Sequence, residues 1–192
     1  LFPYTTLFRS VYMNGMFHGC ILLEELKISH FITSSVEKMS FMFYHMKSIK
    51  SLNIPNFNTA KVEYMNYMFE GCNSLTYLDI SHFDVSKIKN FDSMFSGCSK
   101  LLKLDISNFV TTNAITMNDM FNGCISLKSL DISKFDTSQT TSFKNMFFGC
   151  KLLTSLDISK FKTDLITSME YLFYGCSSLK EISLSNFDTS SV

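Results

Sequence analysis

The sequence predicts an α/β solenoid of seven 26-residue repeats, each contributing one short parallel strand and one short helix. Three observations predict it. The pattern Met-Phe-x-Gly-Cys, or a close variant, recurs with its phenylalanine at Phe17, Phe43, Phe69, Phe95, Phe121, Phe147 and Phe173, always 26 residues apart. The stretch from Val11 to Val192 is seven times 26 residues long, with no insertion or deletion. Within each repeat the apolar residues pass from a period of two to a helical period. Self-similarity this strict indicates stacked copies of one unit rather than a closed globular domain.

The strand is clearest in LKSLDISKF (Leu127 to Phe135) and LTSLDISKF (Leu153 to Phe161), where Leu130 and Ile132 alternate with Asp131 and Ser133. That is the pattern of a strand with one buried face. The same pair recurs as Leu26/Ile28, Leu52/Ile54, Leu78/Ile80, Leu104/Ile106, Leu156/Ile158 and Ile182/Leu184. A polar corner such as FDTS (Phe135 to Ser138, Phe187 to Ser190) follows, rich in residues that cap helices. The helix is expected next, with an apolar stripe such as Val62, Met65, Met68 and Phe69, or Ile166, Met169, Leu172 and Phe173. Glycines at Gly71, Gly97, Gly123, Gly149 and Gly175 sit where a helix ends in a left-handed residue. Parallel strands need a crossover, which the rest of the coil supplies. Seven strands at roughly 4.8 Å make one parallel sheet about 30 Å long.

The first ten residues, Leu1 to Ser10 (LFPYTTLFRS), read as the translation of a common sequencing adapter and are set apart from residues 11–192. Composition agrees, since Arg9 is the only arginine and Pro3 one of two prolines. Without Arg9 the 17 basic residues become 16 lysines against 17 acidic ones, so nothing favours nucleic acid. No apolar run approaches the roughly 20 residues of a membrane-spanning helix. The solenoid is expected to be an uncapped piece of a longer protein, prone to end-to-end self-association.

The units Leu75 to Cys98 (LTYLDISHFDVSKIKNFDSMFSGC) and Leu127 to Cys150 (LKSLDISKFDTSQTTSFKNMFFGC) resemble the BspA-like leucine-rich repeats of bacterial surface proteins. The resemblance covers residues 11–192, and LDIS, FDTS and MFxGC in phase seven times are its specific marks. It implies a leucine-rich-repeat solenoid in a cell-surface or secreted, adhesin-like protein. The second repeat departs from the pattern, with His45 and Met46 in place of Gly and Cys, and Pro55 in place of Ser.

All six cysteines occupy one repeat position, which Met46 fills in the second repeat. A position that accepts methionine is a packing site, so buried free thiols are expected ahead of disulfides or a metal. Asp79, Asp105, Asp131 and Asp157 form a column on the exposed strand face. Neighbouring carboxylates about 5 Å apart in water repel by roughly 0.8 kcal/mol, a tolerable cost. Solubilising or hydrogen-bonding roles are expected for them ahead of cation binding or partner docking. Tyr77 and Lys103 lie on the same face at a position that varies between repeats. The candidate binding residues on this concave face are therefore Tyr77, Asp79, Lys103, Asp105, Asp131 and Asp157. No nucleophile–base–acid arrangement, phosphate loop, metal site or cofactor is expected.

The expected function is non-enzymatic binding of a protein or glycan. A spacer or stalk and an intracellular interaction repeat are the alternatives. If stacking is local, deleting one whole repeat, Leu101 to Ser126, leaves a chain that still unfolds cooperatively at a lower midpoint in a thermal melt.

Overall fold

A computed structural model describes residues 10–192; the proposed adapter segment lies, but for Ser10, outside the described residues. We number the 26-residue coils 1 to 7, from 11–36 through 167–192. Coil stacks on coil in register. A column of parallel bridges joins Tyr12 to Lys38 to Tyr64, and Asn90 to Thr116 to Ser142 to Ser168, each step one repeat long. A second column holds three strands, β1 (Ser51–Leu52), β2 (Tyr77–Asp79) and β3 (Lys103–Asp105). They form one parallel sheet in the order β1-β2-β3, pairing Leu52 with Leu78 and Leu78 with Leu104.

The core explains the stacking. The repeated phenylalanine faces its own copies: rings Phe17, Phe43, Phe69, Phe95, Phe121, Phe147 and Phe173 stack at 5.5 to 5.8 Å between centroids, within 14° of parallel. Around this file lie Met39, Met65, Met94, Met120, Leu78 and Ile80, all buried. The leucine and isoleucine of LDIS point inward in coils 5 and 6 as well as in the strands.

The expected helix is absent from the described residues, which overturns the reading of one strand plus one helix per repeat. The backbone of the Met-Phe-x-Gly-Cys segment is instead a run of turns bonded to the next coil. Met13, Gly15, Phe17 and Gly19 donate their N–H groups to the carbonyls of Lys38, Ser40, Met42 and Tyr44 at 2.8 to 2.9 Å. Donors directed at the next coil are lost to i→i−4 bonding. Within the coil, Cys20 N–H closes a turn on Phe17 O and His18 N–H one on Gly15 O. Two residues per coil are left-handed. One position holds Gly15, Phe41, Tyr67, Ser93, Asp119, Asn145 and Tyr171, at φ 55° to 61°; the other holds His45 and the glycines. A right-handed helix cannot pass a left-handed residue in its middle. The apolar spacing that suggested a helix comes from a turn-rich coil with several inward positions.

The expected seven-stranded sheet is also corrected, since strand pairing joins only coils 2, 3 and 4. In coils 5 and 6 Leu130, Ile132, Leu156 and Ile158 remain buried without a strand ladder. Period-two alternation reports burial, and burial does not require paired strand hydrogen bonds.

Glycine has a steric reason at one position. A Cβ on Gly71 would come within 2.3 Å of His45 Cδ2, and one on Gly97 within 3.5 Å of the Gly71 backbone. His45 itself takes φ 56° in coil 2, so histidine accepts the conformation but fills the space above it.

A threonine file lies beneath the FDTS corner. Thr111 Oγ1 donates to Asp136 O at 2.8 Å and accepts from Asp136 N–H at 2.9 Å. Thr33, Thr59, Thr137 and Thr163 repeat this pairing with the following coil. Val85 occupies the same position and is equally buried. This hydroxyl joins two coils where a helix cap was expected.

Phe121→Ala is expected to cost about 3 to 5 kcal/mol in denaturant unfolding; a loss near zero would place Phe121 outside the core. Thr111→Val leaves a backbone donor and acceptor unpaired and is expected to cost about 1 to 3 kcal/mol, whereas Val85→Thr adds about 1 kcal/mol.

Candidate functional site

The strand face is built by alternation. Leu78 and Leu104 point into the core while Tyr77, Asp79 and Lys103 point out, and parallel register sets Tyr77 beside Lys103 and Asp79 beside Asp105. Tyr77 is 49% exposed. Tyr77 and Asp79 line a shallow hollow with Asn53, Pro55 and His82. Lys103, Asp105 and Asp131 line the next with Ser107 and Ser129. Asp157 lies in a third beside Glu181. The six candidate residues are thus distributed over three open depressions and are not gathered into one cavity.

The aspartates have a local task. Asp79 Oδ1 accepts from the hydroxyl of Ser81 at 2.8 Å and from its N–H at 3.1 Å, and Asp105 does the same with Ser107. Asp131 and Asp157 accept the N–H groups of Ser133 and Ser159 at 2.9 Å. Each closes an Asx turn where the chain leaves the strand position. The serine hydroxyl and amide hold Asp79, Asp131 and Asp157 below the usual carboxylate range, with nearby lysines adding to the effect. This column first shapes corners and then presents charge.

The cysteines are packing groups. All six are free, Cys72, Cys98, Cys124 and Cys150 are buried, and Cys20 is exposed. The thiols of Cys72, Cys98, Cys124 and Cys150 donate to the carbonyl of the file phenylalanine one coil back, at 3.2 Å. Burial pushes the thiols of Cys72 and Cys124 up to about 12, which leaves little thiolate for nucleophilic chemistry. Among the described residues no cluster of His, Cys, Asp or Glu is arranged to hold a metal ion. Among the same residues no helix is long and apolar enough to cross a membrane.

Two surface features were missed by sequence reasoning. Lys38 Nζ lies between two tyrosine rings, 4.9 Å from the centroid of Tyr12 and 5.2 Å from that of Tyr64. An aromatic patch joins His18, Phe41, Tyr44 and Tyr67, with Phe41 and Tyr67 stacked at 4.7 Å. Reading each repeat position as a column would have found both, because these columns carry aromatic residues in the first coils and small or polar ones in coils 4 and 5. The second position reads Tyr12, Lys38, Tyr64 and then Asn90, Thr116, Ser142, Ser168.

The coils therefore define a repeat protein with a uniform interior and open, varied surfaces. The family model described as "Mycoplasma protein of unknown function, DUF285" matches residues 11–130 and 100–192. Together these matches take in all seven repeats, and the chain belongs to that family. No curated protein and no solved structure matches it.

The acidic groups have opposite pH effects. Asp79, Asp131 and Asp157, lowered by their serines, contribute stability that is present above their ordinary value of 3.8 and lost as pH falls through their folded values. Burial raises Asp92 and Glu70, so their ionisation opposes folding and that cost is relieved as pH falls. In an NMR titration, Asp131 is expected to protonate below 3.8, and Ser133→Ala to move its midpoint back toward that value. An unchanged midpoint would remove the serine as the cause.

Proposed function

We propose that this chain is a non-enzymatic, protein- or glycan-binding repeat segment of a bacterial surface or secreted protein, adhesin-like and of the BspA-like leucine-rich kind. The observation that carries the reading is the contrast between two adjacent repeat positions. The inward one is Leu26, Leu52, Leu78, Leu104, Leu130, Leu156 and Ile182; the outward one is Glu25, Ser51, Tyr77, Lys103, Ser129, Ser155 and Glu181. A backbone held in place by a constant interior carries acidic, small polar, aromatic and basic side chains in turn over its first four steps, Glu25, Ser51, Tyr77 and Lys103, which suits recognition of an extended ligand. The LDIS, FDTS and MFxGC marks support the leucine-rich kinship, and membership of a Mycoplasma family supports a bacterial setting. Buried high-pKa thiols and open depressions suit binding better than turnover.

The test is binding of the full chain to arrayed glycans and immobilised extracellular matrix proteins. The double variant Tyr77→Ala/Lys103→Glu is expected to weaken the recorded interaction about tenfold, a loss of about 1.4 kcal/mol. Both side chains are exposed, so the fold should persist in a thermal melt. No binding by the unmodified chain would favour a spacer; binding unchanged in the variant would move the site off the strand face.

A further inference from the structure

The bridge column opposite in sequence to the strands has one break, and it coincides with a basic hollow. Between coils 2 and 3 Glu63 N–H donates to Glu37 O at 2.9 Å, and between coils 4 and 5 Ile115 N–H donates to Lys89 O at 2.7 Å. The corresponding bond from Lys89 N–H to Glu63 O is missing. So is the next rung: Met39 N–H reaches Tyr64 O at 2.8 Å and Phe91 N–H reaches Thr116 O at 2.9 Å, but Met65 N–H makes no such bond to Asn90 O. The parallel bridges likewise run Tyr12–Lys38–Tyr64 and resume at Asn90–Thr116, omitting the step between Tyr64 and Asn90. Among the described residues this is the one step in that column without a bridge.

A depression of about 340 Å³ lies there, lined by Glu63, Tyr64, Lys87, Lys89, Asn90 and Asn113. Its chemistry is lopsided. Neither Lys87 nor Lys89 belongs to an ion pair among the described residues, although Glu63 lines the same hollow. Asn90 is engaged with Asp92, whose N–H donates to its Oδ1 at 2.7 Å, and Asn113 Nδ2 donates to Ser86 O at 2.7 Å, which leaves Asn113 Oδ1 as the amide acceptor in the lining. Tyr64 is 48% exposed and supplies a flat aromatic wall, with Lys38 over its ring. The missing rungs add backbone donors and acceptors that the other steps of the column have already paired.

We propose that this break is a binding site for a carboxylate-bearing sugar ring of an acidic glycan. The two ammonium groups would take the carboxylate, Asn113 Oδ1 and the unpaired backbone groups the ring hydroxyls, and Tyr64 the apolar face of the ring. The hollow is of the size that holds one such ring. A peptide carboxylate would use the lysines but leave the aromatic wall and the mixed donors and acceptors without a role. The site is separate from the strand-face reading, so either can fail alone.

The experiment is a ¹⁵N–¹H NMR titration of the full chain with methyl glucuronide, methyl glucoside and acetate, each to about 20 mM, since single-ring sites bind near the millimolar range. Methyl glucuronide is expected to shift the amides of Met65, Lys89 and Asn90, the neutral sugar to shift them more weakly, and acetate to shift Lys87 and Lys89 only. Lys87→Ala/Lys89→Ala, at exposed positions, should weaken the glucuronide response about fivefold or more while leaving the thermal midpoint in place. Tyr64→Leu should bring the glucuronide response down to that of acetate. The proposal is overturned by glucuronide shifts that fall elsewhere or nowhere, by a double-lysine variant that binds as before, or by a short acidic peptide that shifts the same amides as strongly as the sugar. Shifts at coils 3 and 4 that survive Tyr77→Ala/Lys103→Glu separate this site from the strand face.

Discussion

The file of phenylalanines from Phe17 to Phe173 is the constraint on which the rest depends. Seven rings stacked 5.5 to 5.8 Å apart hold every coil at one rotation relative to the next, because a ring leaving the file would open a void in the core. Once that register is set, each repeat position meets its own copy above and below. Phenylalanine lies against phenylalanine, glycine beside glycine, and threonine hydroxyls under the backbone of the next corner.

The same register satisfies the backbone. A turn-rich coil leaves many N–H and C=O groups without partners inside the coil, and buried ones are expensive if unmet. Here the next coil meets them, through the Met13-to-Lys38 type of rung and through the threonine pairs. The non-glycine residues at positive φ, such as Phe41, Tyr67 and Asp119, are tolerated because each donates its N–H to the following coil while its carbonyl closes a turn within its own. This is also why the described residues form no helix: the donors that would build one are committed between coils.

A uniform inside leaves the outside free to vary. The exposed side chains of the strand column, the tyrosine–lysine–tyrosine sandwich and the aromatic patch at His18, Phe41 and Tyr44 all sit on backbone whose position is set by residues beneath them. The one unbridged step, between Tyr64 and Asn90, shows the limit of this independence: there the surface residues change class and the rungs beneath them are absent.

By itself the sequence determined the repeat length, the number of coils and the inward positions, because periodicity writes these directly into the order of residues. The burial of Phe121, Leu130 and Ile132 and the packing role of the cysteines were legible in that way. Only the tertiary structure decided that the Met-Phe-x-Gly-Cys segment is a chain of turns and not a helix, since spacing records which side chains face inward but not where the N–H groups are directed. It likewise decided that Asp79 and its copies close corners, that threonine bridges coils, and that the bridge column breaks beside Lys87 and Lys89. Those are contacts between residues a whole repeat apart, or a choice of hydrogen-bond partner, and neither is written in local order.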